Sequence, residues 1–275
     1  MQAEQKLKLQ EIAKKARLLA LEGIHNAKSG HPGGSLSAMD IITYLYFCEM
    51  NVDPTDPKNP DRDRFVLSKG HGAPALYSVL ALKGYFSEDE VRKLRKLGEM
   101  LQGHPDMRKT PGVDMSTGSL GQGVSAACGM AVAGKRLNKS YRVYALLGDG
   151  EIEEGQVWEA AMFASHYKLD NLVIAIDNNN LQIDGTIDTV CSPYPIAEKF
   201  AAFGFNVIEI DGYDFDAIEA AYNAAKECKG KPTAIIAKTI KGKGVSFMED
   251  KANWHGVAPN DEQYEAAVKE LTEGN

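Results

Sequence analysis

The sequence has few cysteines and no close pairs of them. Cys48, Cys128, Cys191 and Cys228 are spread over 275 residues, and none forms a CxxC motif. This spacing argues against a disulfide framework and against a structural zinc site. It predicts reduced, mostly buried thiols in a cytosolic protein.

An excess of positive charge and long apolar runs are also missing. Lys and Arg number 31 against 38 Asp and Glu, which gives a net charge of -7. This balance argues against a nucleic-acid-binding or anionic-membrane-binding protein. The N-terminal segment MQAEQKLKLQEIAKKARLLALEG mixes charged residues with Leu and Ile, so it resembles neither a signal peptide nor a membrane span. We expect a cytoplasmic protein with no nucleic-acid or membrane partner.

The composition is otherwise that of an ordinary globular protein. Apolar residues make up 44% and charged residues 25%, and neither repeats nor a linker interrupt the chain. The length suits one large domain, so a single domain is predicted over 1–275.

Apolar strands alternate with helical patterns along the chain. Such alternation predicts an α/β fold with a parallel sheet sandwiched between helices. A capping box is expected at Ser87 and Glu90. Loops are predicted at 29–35, 51–63 and 103–118. Helices are predicted from the N-terminus to about 29, at 37–50, 75–83, 88–97, 120–137 and 157–167, near 197, and at 215–228 and 261–271, and strands at 64–68, 141–147, 171–176, 206–210 and 233–237.

Polar turns follow two consecutive apolar strands. Gly148, Asp149 and Gly150 come after the first, and the run DNNN at 177–180 comes after the second. The carboxyl ends of parallel strands lie at one edge of a sheet, where open α/β folds bind ligands. A carboxylate and an amide oxygen suit Mg²⁺, and glycine lets a backbone approach a phosphate closely. An ordinary strand-to-helix turn explains GDG alone equally well.

GDG followed by this Asn run resembles the cofactor domain of transketolases. Other segments share the resemblance: KSGHPG at 28–33, DRFVLSKGHGAPALYS at 63–78, GHPD at 103–106, TGSLGQG at 117–123 and EDKANWHG at 249–256. It implies the thiamine diphosphate-binding fold of the diphosphate-binding (PP) domain. It also implies thiamine diphosphate and Mg²⁺ (or Ca²⁺ or Mn²⁺) as cofactors.

The resemblance assigns roles to individual residues at the diphosphate end of the cofactor. Asp149, Asn179 and the Leu181 carbonyl would bind the metal, and Gly150 and Asn179 would also touch the diphosphate. His71 and Lys241 would lie against the diphosphate, although a solvated loop charge is an equal alternative for Lys241. Gly118, Ser119 and Leu120 would contact the middle of the cofactor.

Four of the six histidines lie in Gly- or Pro-flanked loops that display their side chains. By the same resemblance His31, His104 and His255 line the substrate channel as catalytic residues, and His255 also contacts the cofactor. A four-histidine metal site is a weaker alternative, because no HxxxH or HExxH spacing occurs. His25 and His166 fall in predicted helices and are interpreted as packing or surface residues.

Glu154 begins a predicted helix, where a carboxylate is favoured by the helix dipole. In the family the matching residue lies at a subunit interface and bonds the glutamate that activates the cofactor. That glutamate belongs to a second, pyrimidine-binding domain, which does not occur in this sequence. We therefore expect the N-terminal subunit of a split transketolase, inactive alone, paired as α2β2 with a chain carrying the pyrimidine-binding and C-terminal domains. A fragment of a longer polypeptide is the alternative.

The implied reaction transfers a two-carbon ketol unit from a ketose phosphate to an aldose phosphate, as in the pentose phosphate pathway. Two other functions stay open. One is another thiamine diphosphate enzyme, of the 2-oxo acid dehydrogenase or deoxyxylulose phosphate synthase type. The other is a non-catalytic thiamine diphosphate-binding module.

Overall fold

The computed structural model describes residues 1–274, which form a parallel sheet and eleven α-helices. The central strands are β1 (Arg64–Leu67), β2 (Val143–Gly148), β3 (Leu172–Asn178), β6 (Asn206–Asp211) and β7 (Thr233–Lys238). They pair in the order β1-β2-β3-β7-β6, with every pair parallel. A small hairpin, β4 (Leu181–Gln182) and β5 (Gly185–Thr186), follows β3.

The helices cover both faces of this sheet. Short 3₁₀ turns at 70–72, 151–153 and 252–254 lie between strands and helices, and a π-helical turn at 45–49 follows α3. The helices are α1 (Ala3–Ala27), α2 (Pro32–Ser37), α3 (Met39–Tyr44), α4 (Ala73–Lys83), α5 (Glu88–Arg92), α6 (Gln122–Arg136), α7 (Gly155–His166), α8 (Ile187–Val190), α9 (Ile196–Ala202), α10 (Phe215–Glu227) and α11 (Asp261–Glu273).

Side chains of the central strands alternate between two buried layers. In β2, Tyr144 and Leu146 pack with α1, α3, α4 and α10, whereas Val143, Ala145 and Leu147 pack with α6, α7 and α9. Successive strand residues point to opposite faces, so a strand covered on both sides must be apolar throughout. The predicted parallel sheet between helices is confirmed, and the continuous apolar runs of the strands are its cause.

Several local predictions are wrong. Residues 32–35 begin α2 instead of a loop, because Pro32 fits the first turn of a helix, where its missing N–H is not needed. The helix predicted at 37–50 is divided into α2, α3 and the π-helical turn. The hairpin β4–β5 and α8 were not predicted.

Helix α5 is also shorter than predicted. It ends at Arg92, and Arg95 adopts a left-handed conformation (φ 61°) that no α-helix accommodates. The Ser87 hydroxyl accepts from the N–H of Asp89 at 3.2 Å, while Glu90 bonds Lys93 at 2.9 Å. The expected capping box is therefore absent, because Glu90 pairs along the helix instead.

The cysteines are less buried than their type suggests. All four are free thiols, but only Cys128 is buried; Cys48 and Cys228 are half-buried and Cys191 is exposed. Within residues 1–274 no helix has the length and apolarity needed to cross a bilayer.

Candidate functional site at the carboxyl edge of the sheet

Four strands deliver polar segments to the same edge of the sheet. Residues 68–71 follow β1, 149–150 follow β2, 179–180 follow β3 and 239–241 follow β7, and the last residues of β2, β3 and β7 lie at the same edge. Gly148 lies beside Asp177 in the register, and Asn178 lies beside Lys238. Parallel pairing is the physical reason that these distant segments meet.

The two polar turns predicted to meet are hydrogen-bonded to each other. The Asp149 carboxylate accepts from the backbone N–H of Gly150 at 2.9 Å and from that of Asn180 at 2.5 Å. Burial first, and then the neighbouring Asp177 carboxylate, raise the pKa of Asp149 to about 6. A nearby cation would relieve both penalties, because it favours the charged carboxylate.

Asn179 and Leu181 complete a set of oxygen atoms beside Asp149. The Asn179 side chain is buried, and its Oδ1 accepts from the N–H of Leu181 at 3.2 Å. The Leu181 carbonyl accepts from Lys241 Nζ at 2.9 Å. One carboxylate, one amide oxygen and one carbonyl are the hard donors that a small divalent cation prefers.

Two lysines are buried at this corner. Lys69 and Lys241 are only 1% and 2% exposed. Lys241 Nζ also lies 3.0 Å from Nδ1 of His255, and burial together with Lys69 lowers the pKa of Lys241 to about 8. A solvated loop charge, the alternative for Lys241, is therefore wrong, because its ammonium is enclosed by the fold.

The four histidines of the Gly- and Pro-flanked segments form a cluster in which three lie around His31. The ring centre of His31 lies 5.4 Å from that of His71, 6.3 Å from that of His104 and 5.5 Å from that of His255. The Nδ1 atom of His31 is buried and has no hydrogen-bond partner within residues 1–274. Such an orphaned buried atom fits a site made for a polar ligand.

The imidazoles of this cluster are neutral near pH 7. Burial is the main cause: it lowers the pKa of His31 to about 4, with Arg95 contributing, and that of His255 to about 3, with Lys241 contributing. The pKa values of His71 and His104 are lowered for the same reason. A neutral imidazole both donates and accepts a hydrogen bond, as binding of hydroxyl groups requires.

The four-histidine metal site is not supported. In the part of the chain that the structure describes, no three His, Cys, Asp or Glu side chains are grouped so as to hold a metal ion. The histidines lie next to lysines instead, and like charge disfavours a cation there.

A pocket of about 310 Å³ joins the oxygen atoms, the lysines and the histidines. Its lining includes the predicted residues His31, His71, Gly118, Leu120, Asp149, Gly150, Asn179, Leu181, Lys241 and His255. His104 is exposed and is not part of this lining, but it lies against the lining residue Gly118, where an added Cβ would lie 3.0 Å from the Cγ atom of His104.

Ser119 and Glu154 lie outside the lining of this pocket, and both are exposed. Glu154 precedes α7, but its side chain makes no capping hydrogen bond. Glu154 is nevertheless the N-cap residue of α7, and the interaction with the helix dipole expected for it needs no such bond, so that alternative stays open. His25 and His166 also lie elsewhere: His25 stacks on Tyr264 with ring centres 4.2 Å apart, and His166 is exposed at the end of α7.

Sequence reasoning missed two buried carboxylates at this edge. Glu151 accepts from Ser68 Oγ and from the N–H groups of Gly121 and Gly148, so it joins the ends of β1 and β2 to the start of α6. Asp177 is fully buried and pairs with Lys69. Asp177 is the first residue of the DNNN run, but strand register decides that its side chain points into the protein interior.

The fold and this corner define a class, the α/β proteins that bind thiamine diphosphate. Residues 8–272 match the family "Transketolase, thiamine diphosphate binding domain". The fold also matches transketolase from Campylobacter jejuni, with a TM-score of 0.92 and 35% identity. That match covers 99% of this chain but 43% of the other.

Two further relatives have nearly the same length as this chain. One is the 6-deoxy-6-sulfo-D-fructose transketolase subunit SqwG of Clostridium sp. (strain MSTE9), 49% identical over 98% of each chain. The other is an apulose-4-phosphate transketolase subunit from Phocaeicola vulgatus, 44% identical over 97% of this chain and 94% of its own. The chain belongs to the transketolase family, and the resemblance stated from its motifs is confirmed. The match favours transketolase over the other thiamine diphosphate enzymes considered above.

Proposed function

We propose that this chain is the diphosphate-binding subunit of a split transketolase, which transfers a two-carbon ketol unit from a ketose phosphate to an aldose phosphate. The observation that carries the proposal is the corner where Asp149, Asn179 and the Leu181 carbonyl adjoin the buried ammonium of Lys241. The similar length of relatives named as transketolase subunits supports it.

The oxygen atoms of this corner fit a divalent cation, Mg²⁺ or else Ca²⁺ or Mn²⁺. Asp149, the Asn179 amide oxygen and the Leu181 carbonyl would be its protein ligands, and diphosphate and water would complete the shell. The Leu181 carbonyl accepts from Lys241 but has a second lone pair for a cation. Lys241 would neutralise the diphosphate, and Gly150 and Asn179 would contact it.

The remaining pocket residues would position the cofactor and the sugar. His71 would contact the diphosphate, and Gly118, Ser119 and Leu120 would contact the middle of the cofactor. Bound thiamine diphosphate supplies a nucleophilic carbon for the ketose carbonyl. His31, His104 and His255 would orient sugar hydroxyls and transfer protons at the substrate oxygens, since neutral imidazoles can do both.

The activating carboxylate would come from a partner subunit that carries the pyrimidine-binding and C-terminal domains. Glu154 is exposed and free of a capping bond, as expected for a residue that shares a proton with the partner's carboxylate in a hydrogen bond. A symmetric α2β2 assembly would place each pocket at such a contact.

The proposed donor is a ketose with an anionic terminal group. The two subunit relatives are named for a 6-sulfo sugar and for a sugar 4-phosphate. We retain a ketose phosphate as donor, as in the pentose phosphate pathway. The free cysteines suit the reducing cytoplasm, which is the compartment that we propose.

Co-purification of this chain from its native cells, followed by a ketol-transfer assay, tests the proposal. We expect a co-purifying transketolase chain and activity that requires thiamine diphosphate and Mg²⁺. A complex that binds the cofactor but fails to transfer ketol units from any ketose phosphate would contradict it.

A further inference from the structure

Asp177 is the centre of a buried hydrogen-bond cluster behind the pocket. Its carboxylate accepts from Ser37 Oγ at 2.6 Å and also from Thr239 Oγ1. It also pairs with the ammonium of Lys69, which donates a second bond to the Gly34 carbonyl at 2.8 Å. Asp177 and Lys69 are 0% and 1% exposed.

The fourth donor in this cluster is the Asn179 side chain. Asn179 Nδ2 lies 3.2 Å from Asp177 Oδ2. An ionised carboxylate only accepts hydrogen bonds, whereas an Asn amide presents a donor on one side and an acceptor on the other. The contact therefore fixes Nδ2 toward Asp177 and Oδ1 away from it.

The orientation of this amide decides whether Asn179 can bind a cation. Oδ1 is a hard oxygen ligand, while the NH₂ group has no lone pair to offer and carries partial positive charge. We propose that Asp177 is a positioning residue for the metal site: held by Lys69, it orients the Asn179 amide so that Oδ1 faces the cation. This inference rests on the proposed function.

The partners of Asp177 explain why a carboxylate is needed. Ser37, Thr239, Lys69 and Asn179 all direct donors at it, and two carboxylate oxygens accept all four. An amide at position 177 would offer one oxygen and turn an NH₂ group toward a donor. Lys69 supplies the counter-charge that burial of a carboxylate requires.

Mn²⁺ titration of the full chain with thiamine diphosphate, followed by electron paramagnetic resonance, tests the inference. Asp177→Asn should weaken Mn²⁺ binding by about 10- to 100-fold, as loss of a residue that orients a metal ligand typically does. Thr239→Val is the matched control, because it removes one bond to Asp177 and keeps the Asn179 contact. We expect it to weaken binding by no more than about twofold.

The exchanged variant Asp177→Asn/Asn179→Asp tests whether Asp177 acts by orienting the side chain at 179 or only by supporting the local fold. A carboxylate at 179 presents oxygen whichever way it turns, and the net charge is unchanged. Mn²⁺ affinity should therefore return to within about threefold of native. Melting temperatures measured without metal check that each variant is folded.

The outcomes distinguish this inference from the proposed function. Native affinity in a folded Asp177→Asn variant, or no recovery in a folded exchanged variant, would overturn the positioning role alone. Failure of the native chain to bind Mn²⁺ with thiamine diphosphate would overturn the metal site and this inference together.

Discussion

The floor and the rim of the pocket differ in how completely this chain builds them. At the floor, Asp149, Asp177, Lys69 and Lys241 are buried, and each has hydrogen-bond partners within the chain. At the rim, Glu154 and Ser119 are exposed, and a Cβ on Gly155 would meet nothing within 4 Å.

This difference agrees with the proposal that a partner subunit completes the site. A buried charge must be paired inside its own chain, because unpaired burial is costly. An exposed carboxylate is solvated by water, so it needs no partner within its own chain. Met162 and Phe163 on α7 are 54% and 40% exposed, and exposed apolar side chains suit an interface. Under the proposed function, the floor would hold the cofactor and a partner subunit would complete the rim.

The largest expected effect is on the rate of ketol transfer when the proposed partner subunit is added. Adding the partner subunit should raise ketol transfer by about 10²- to 10⁴-fold, the contribution of a positioned acid–base group. A coupled assay with and without the partner measures this. Equal turnover by this chain alone would remove the distinction between floor and rim.

The next largest effect should come from the floor. Asp149→Ala removes the charged metal ligand, so the affinity for thiamine diphosphate in the presence of Mg²⁺ should fall by more than about 100-fold. This loss exceeds the one typical of residues that only orient a metal ligand. Calorimetric titration with thiamine diphosphate measures it. Asp188→Ala, at an exposed carboxylate on α8, is the control. Unchanged Mg²⁺ dependence after loss of Asp149 would refute the ligand set.

His255 lies between the two regions. His255→Ala should lower turnover of the assembled enzyme by about 100-fold, through loss of a proton-transferring imidazole. Cofactor affinity should fall far less, although the contact with Lys241 is lost. Steady-state kinetics and cofactor titration provide the two values. His25→Ala, outside the pocket, should change neither, and a larger loss of affinity than of turnover would assign His255 to cofactor binding alone.

A smaller effect is expected at the rim itself. Glu154→Ala should lower the activity of the assembled enzyme about tenfold, since it removes a hydrogen bond to a charged group, which contributes about 1.5–3 kcal/mol. The isolated chain should keep its cofactor affinity, because Glu154 does not line the pocket. Reduced affinity in the isolated chain would place Glu154 at the floor.

The smallest expected effect is on stability as a function of pH. The folded-state pKa of His31 is about 4, below its ordinary value of 6.5, so the unfolded chain binds more protons between these values. Stability should therefore fall as pH decreases from about 6.5 to about 4. His31→Gln should flatten this dependence, as thermal melts at several pH values would show. An equally steep dependence in the variant would mean that His31 is not buried as a neutral ring.

Much of the fold follows from local sequence signals. The strands predicted at 141–147 and 171–176 and the first helix, predicted to about 29, agree with β2, β3 and α1, because each pattern extends over several residues. Helix ends were less predictable. The end of α5 depends on Arg95, a residue type with no local preference for the left-handed conformation.

The candidate site was predicted in part. The GDG and DNNN turns indicated Asp149 and Asn179 because glycine and short polar residues at strand ends are visible in sequence. Glu151 and the burial of Lys69 gave no such signal, since Glu and Lys are ordinarily surface residues. Their roles depend on contacts between segments far apart in the chain.

The sequence by itself determined the parallel α/β class, the family and the residue types at the ends of two strands. Alternation and short motifs suffice for these, because they are local properties. Only the tertiary structure decided that four strand ends share one pocket, that Lys241 is enclosed, and that Asp177 holds the Asn179 amide. The physical reason is strand order and register, which bring the ends of four strands from distant parts of the chain to one edge of the sheet.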